Sequence, residues 1–235
     1  MKTKTITYIL VGLFVVMLGS FTTRSLMQQR EKESWQGWKE RNTLKSISKR
    51  AKQQGRQQVI IPAPDFDYLD NSSDLDQVLF SYSLVLAEPI EERTYAVGDD
   101  GILTWYKFRI LESLSRRPAA PCDGCPQTSA PHDLLPPNND EFLVGKAGGS
   151  IFVDGVQLTM VDSHFPAFQK SRKYLLFVSL SPTGLARVAA GPSGVFSVND
   201  DGSFEPITKD AHPIRSEMRA RFNSSVIKVK HHFKG

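Results

Sequence analysis

The sequence predicts a mainly β protein, a small barrel or sandwich with a short C-terminal helix. Three observations carry this. Four Asp-Gly pairs punctuate the middle of the chain, at Asp100-Gly101, Asp123-Gly124, Asp154-Gly155 and Asp201-Gly202. Three of them lie between short runs of β-branched and aromatic residues, and Asp-Gly suits tight hairpins because both central residues of a type I′ turn need positive φ. Only at the end, from Ile214 to Met218 to Phe222, does the apolar period lengthen to that of a helix.

An N-terminal signal comes first. Lys2 and Lys4 precede a run without charge from Thr5 to Thr23, closed by Arg24. As a helix, this run is just long enough to cross a hydrocarbon core of about 30 Å. Residues 1–23 therefore read as a transmembrane signal-anchor. The alternative is a cleaved secretory signal, although no alanine marks a cleavage site near the end of the run. The short basic tip favours export of the C-terminal body. The cations Arg24, Arg30, Lys32, Lys39 and Arg41 favour the opposite, cytoplasm-facing orientation.

Residues 24–63 read as a basic, partly helical stalk. Trp35 and Trp38 lie on one side of the helical projection, and Leu44, Ile47 and Ala51 on another. A second reading lays this segment on anionic lipid, with Trp35 and Trp38 at the headgroup level. Pro62 and Pro64 end it.

The body spans 64–211. Ser72 or Ser73 is expected to cap a short helical turn through Asp74–Gln77. Val78 to Ile90 reads as a strand. Arg93–Val97 with Ile102–Leu111, Ser150–Val153 with Val156–Val161, and Val195–Val198 with Ser203–Ile207 read as three hairpins. Tyr174–Leu180, the most apolar run, is expected to be a central strand, with Leu185–Ala190 paired to it across Ser181–Gly184. A count of about eight short strands suits a barrel or sandwich. A Pro-rich insertion occupies 115–139. In the tail, 212–235, a helix is expected from Pro213 to Phe222, and Ser224–His231 reads as an edge strand or a frayed end.

Charge follows these divisions. The net charge of +4 and pI of 9.0 hide an acidic body: residues 62–211 carry eleven Lys/Arg against twenty-one Asp/Glu. The basicity sits in the flanks, and basic-aromatic interleaving is absent from the body, so nucleic acid is not an expected partner.

The order of Ser73–Ile90, Trp105–Leu114, Gly148-Gly149 followed by Asp154-Gly155, Arg172–Phe177 and Gly191–Phe196 resembles that of uncharacterised bacterial exported proteins. Their single β-domain is similar to OB-like barrels, including the netrin-type module of tissue inhibitors of metalloproteinases. The likeness covers roughly 72–222 and implies an OB-like barrel without a catalytic signature. The cysteine framework of the netrin module is missing, so its inhibitory activity does not carry over.

Cys122-Asp123-Gly124-Cys125 is the most specific motif. Three chemistries compete for it: a short-loop disulfide, a metal clip (zinc with Cys122, Cys125, His132 and Asp133 in reach) and a redox dithiol. Haem attachment is excluded because Pro126 stands where histidine is required. The acidic cluster Asp65, Asp67, Asp70, Asn71, Asp74 and Asp76 departs from an EF-hand, since Leu69 and Asp70 replace an oxygen ligand and a glycine. Gly191-Pro192-Ser193-Gly194 lacks the nucleophile-elbow spacing. Ser46 and Lys49 lie in the stalk, Ser163-His164 has no partner motif, and Gly148-Gly149 reads as a bulge or turn. The chain is thus expected to be a non-enzymatic module, anchored in or secreted across a membrane, that binds a protein or envelope partner. The exposed members of Trp105, Tyr106 and Phe108 are its first candidate contacts, although such aromatics are more often core. Thiol-disulfide or metal-dependent activity at Cys122 and Cys125 is the alternative.

Overall fold

The computed structural model describes residues 42–64, 74–115, 130–136, 140–209 and 211–234. The Thr5–Thr23 run, Trp35, Trp38, Cys122, Cys125 and the side chain of His132 lie outside these residues. Among the described residues no helix is long and apolar enough to cross a membrane. The fold is mainly β, with two sheets and a C-terminal pair of helices.

Helix α1 (Leu44–Gln53) opens it, capped by the Thr43 hydroxyl, which accepts from the Ser46 N–H. Strand β1 (Gln58–Pro62) follows and pairs in parallel with β6 (Val156–Val161). The β5–β6 hairpin, with β5 at Gly149–Val153, completes a three-stranded sheet in the order β1–β6–β5. Leu44 and Ala51 pack on Val156, Leu158 and Met160. Residues 44–62 therefore belong to the folded body, not to the expected stalk. The side formed by Leu44, Ile47 and Ala51 is the one the sequence marks, but its partners lie about a hundred residues on; Ser48, fully buried beside them, donates from its hydroxyl to the Val153 carbonyl at 2.7 Å.

Helix α2 (Leu75–Ser81) is capped by the Asp74 carboxylate rather than by Ser72 or Ser73, which lie outside the described residues. It takes up the first residues of the expected Val78–Ile90 strand. A short apolar run does not by itself separate helix from strand. Here Leu75 and Val78, one turn apart, both turn into the core.

The larger sheet has seven strands: β2 (Ser83–Val97), β3 (Gly101–Ser113), β4 (Glu141–Ala147), β7 (Lys173–Leu180), β8 (Leu185–Val188), β9 (Val195–Val198) and β10 (Phe204–Pro206). Its order is β10–β9–β7–β2–β3–β4–β8, and β8 also pairs with β7. Five strands thus form a closed circuit, β2–β3–β4–β8–β7 and back to β2, in which only β4 and β8 run parallel. The long β2 strand serves both β7 and β3 because it bends: its register shifts at Leu86/Ala87 and between Pro89 and Glu91. Pro89 lacks an N–H, but the β2–β7 ladder ends at Ala87, so none is required of it there.

The hairpins fall close to expectation. Asp154 (φ 49°) and Gly155 (φ 82°) form the two-residue turn between β5 and β6. At the β2–β3 tip Val97 faces Gly101, so the loop is Gly98-Asp99-Asp100, and Gly98 rather than Gly101 takes the positive φ. Gly148 and Gly149 are a joint between sheets. Both have positive φ, and a Cβ at Gly149 would lie 2.3 Å from Thr104 Oγ1, so the chain crosses β3 at a distance only glycine permits.

Helix α3 (Pro213–Phe222) lies where expected, with Pro213 in its first turn and Ile214, Met218 and Phe222 buried. The tail corrects the reading of Ser224–His231. It forms helix α4 (Val226–Lys234), which buries Val226 and Val229 beside the partly buried Phe233.

Candidate binding cleft

The interior of the five-strand circuit is filled. Val85, Tyr106, Phe108, Phe142, Val144, Leu176 and their neighbours form one apolar cluster. The segment between β6 and β7 closes one end of it with Phe168, whose ring centroid lies 5.0 Å from Tyr106, 4.9 Å from Phe108 and 5.2 Å from Tyr174. Burial pushes the Tyr106 hydroxyl up to about 12, with Glu92 acting in the same direction. Lys146 is buried beside this end. It donates to the Ala147 carbonyl at 2.8 Å and stands over the Phe165 ring, and burial lowers its pKa against the opposing pull of Asp162.

This packing makes all three of Trp105, Tyr106 and Phe108 core, at 4%, 4% and 0% exposed, so none of them is an exposed member to serve as a contact. Both faces of β3 are covered between Trp105 and Phe108. Tyr106 and Phe108 point into the circuit, and Trp105, on the outer face, packs with Leu134, Leu143 and Leu185. Leu134 arrives from the end of the Pro-rich insertion, in a 3₁₀ turn at His132–Leu134, and the neighbouring Asp133 pairs with Arg93. A contact surface on this strand is therefore already occupied by the chain itself.

The other candidates separate widely. Asp74 caps α2, and Asp76 pairs with Arg221 of α3, which holds the Asp76 carboxyl below its usual range. Ser193 is buried in the Gly191–Gly194 turn. The backbone N–H of His164 donates to Asp162. Ser46 donates to the Thr43 carbonyl in the first turn of α1. No group of three or more His, Cys, Asp or Glu side chains placed to hold a metal occurs among the described residues.

A cleft of about 510 Å³ opens instead between the start of β7, the β9–β10 loop and α4. Leu86 and Val226, both buried, contribute its apolar base, and Ile227, 61% exposed, stands at the edge. Arg172, Lys173 and Lys230 supply three cations against Asp200. Lys230 is held by Glu112, with Nζ 2.5 Å from the carboxylate. The local fold sets this geometry. Ser171 takes a left-handed conformation (φ 71°) immediately before Arg172 and Lys173. The Val226 N–H donates to the Gly202 carbonyl at 3.0 Å, tying the start of α4 to the β9–β10 loop. An apolar base with cations around it suits an acidic ligand that also carries apolar surface.

Sequence reasoning passed over these residues because Ile227 and Lys230 sat in a segment read as a strand or frayed end. The basic C-terminal flank and the Arg172-Lys173 pair before the most apolar strand were the available signals. No protein-family model, curated protein or solved structure matches this chain.

Proposed function

We propose that this chain is a membrane-anchored, extracytoplasmic OB-like barrel that binds an acidic segment of a protein or envelope partner in the cleft around Arg172, Lys173 and Lys230. The barrel reading rests on the strand circuit. Five strands closed in the order β2–β3–β4–β8–β7, with β4 and β8 parallel, match the small Greek-key barrel of OB type. The anchor reading rests on Lys2, Lys4 and the run from Thr5 to Thr23.

One observation carries the binding assignment. The interior is filled with aromatic side chains and the outer face around Trp105 is covered, whereas the α4 cleft combines apolar base, exposed Ile227 and cations. A photo-crosslinker at Ile227 in the full chain, in its native membrane, tests the reading, with Phe80 on the exposed side of α2 as control site. The expected result is a discrete adduct from position 227 that is lost with Arg172→Glu and Lys173→Glu. Equal adducts from both positions, or an adduct indifferent to these reversals, refute it.

A further inference from the structure

Charge is unevenly placed within the folded body itself. Residues 42–64 carry five Lys or Arg and no Asp or Glu, whereas 65–211 carry eleven Lys or Arg against twenty-one Asp or Glu. Lys45, Lys49, Arg50 and Lys52 stand on α1 and Arg56 follows it, and all five are exposed. Lys45, Lys49 and Lys52 recur at four- and three-residue spacing, which lines them up along one side of the helix. The other side is already used: Leu44, Ser48 and Ala51 are buried, and Leu44 and Ala51 pack against Val156, Leu158 and Met160. The cations are therefore what α1 turns outward.

Both ends of the helix are fixed. The Leu44 N–H donates to the Asp99 carbonyl at 2.7 Å, and Lys52 Nζ donates to the Asp154 carbonyl at 3.1 Å. These two acidic residues thus meet α1 at its ends and through the main chain, and α1 contributes no carboxylate of its own.

The place of α1 in the chain selects its partner. The 20 residues from Arg24 to Thr43 separate it from the uncharged run that ends at Thr23. Even fully extended they reach at most about 70 Å. With that run in a bilayer, the tether enters the body at α1, so this helix is held near the membrane surface at high effective concentration. Anionic headgroups supply the complementary charge there, and the attraction grows with each Lys or Arg brought to the surface. A surface-lying amphipathic helix buries its apolar side in lipid. Here that side belongs to the small sheet, so the contact is electrostatic and shallow.

We propose that the side of α1 bearing Lys45, Lys49 and Lys52, with Arg50 and Arg56 beside it, rests on anionic phospholipid, its cations facing the phosphodiester headgroups. This rests on the anchor proposed above and is independent of the α4 cleft.

Lysine footprinting of the full chain in vesicles tests it. The vesicles are phosphatidylcholine alone or with about 30% phosphatidylglycerol, and an impermeant amine-reactive reagent reads each lysine by peptide mass. The expected result is that Lys45 and Lys49 react about threefold or more slowly on the anionic vesicles, and that about 0.5 M salt restores them. Lys209, exposed on the acidic body, reacts equally on both. Glycerol phosphate added to phosphatidylcholine vesicles gives no protection, which separates a lipid surface from a free phosphate. Combining Lys45→Glu with Lys49→Glu leaves the melting temperature unchanged and removes the protection of Lys52. Flotation with phosphatidylcholine vesicles reads the anchor separately. A chain that does not float there refutes the anchor, and α1 is then judged by salt-sensitive flotation with the anionic vesicles, whose absence overturns the assignment. Equal reactivity of Lys45 and Lys49 on the two vesicle types, equal protection of Lys209, or protection by glycerol phosphate also overturns it. So does protection on phosphatidylcholine that rises with protein density, which would place a second copy on this face.

Discussion

Replacing Phe168 by alanine removes the ring that closes one end of the five-strand circuit. Phe168 is 3% exposed, and four aromatic rings surround it: Tyr106, Phe108, Phe165 and Tyr174, with centroids between 4.9 and 5.5 Å away. Three of these, Tyr106, Phe108 and Tyr174, are carried by β3 and β7, elements paired into the circuit, so they cannot collapse freely into the vacated volume. A buried Phe→Ala change costs about 3–5 kcal/mol when the site relaxes poorly. Edge-to-face contacts add about 0.5–1.5 kcal/mol each beyond area, though not additively. A loss of about 4 kcal/mol follows, or a fall in melting temperature of about 8–16 °C for a chain of this size. Urea unfolding of the full chain, followed by near-ultraviolet circular dichroism, measures it. Phe168→Leu, which restores most of the volume but none of the edge contacts, falls in between. A loss below about 1 kcal/mol for Phe168→Ala refutes the filled-circuit account.

Two further predictions concern the joint and the interior. Gly149→Ala forces a Cβ to 2.3 Å from Thr104 Oγ1 at a φ of +129°, so it lowers stability by about 1–3 kcal/mol or more in the same unfolding assay. Gly155→Ala, where nothing lies within 4 Å, costs less, and equal losses at the two positions argue against the close crossing. The Tyr106 hydroxyl has a folded pKa raised to about 12 from 10.0, so its stabilising contribution is complete below the unfolded value and is lost as pH rises through the folded one. Ultraviolet difference titration is expected to show a late tyrosinate component that Tyr106→Phe reduces, burial raising Tyr174 as well, and a variant that instead loses only absorbance in the ordinary tyrosine range contradicts the burial.

How much of this was legible in the sequence depended on whether local residues alone decide the conformation. The Asp154-Gly155 turn was legible because both residues are among the few that accept positive φ. The β2–β3 tip was legible as a hairpin but not in detail, because Gly98-Asp99-Asp100-Gly101 offers two glycines and only the cross-strand register chooses between them. Helix α3 announced itself through Ile214, Met218 and Phe222. Helix α4 did not, because Val226, Ile227 and Val229 are β-branched and its burial comes from contacts with residues far back in the chain. In α1 the apolar side of Leu44, Ile47 and Ala51 was legible but its docking was not: its partners in β6 are distant, and Ser48 reads as solvent-exposed until the Val153 carbonyl that satisfies it is known. The α4 cleft was least legible, since it assembles its cations from two separate stretches, Arg172-Lys173 and Lys230. Whether Trp105 is core or contact was not legible from β3 alone, because the residues that cover it, around Leu134, return from an insertion.

The parallel pairing of β1 with β6 has a consequence for synthesis. During translation Gln58–Pro62 leaves the ribosome long before Val156–Val161 exists, and a parallel partner cannot be supplied by a neighbouring hairpin. Helix α1 and β1, with Leu44, Ala51, Val59 and Ile61 as their apolar side, must wait with that surface uncovered while β2, β3 and β4 are made. The segment that emerges ahead of the rest of the body therefore docks only once β6 has been made. A nascent chain stopped before Val161 is expected to expose it to chaperones, whereas one long enough to include the β5–β6 hairpin can shelter it.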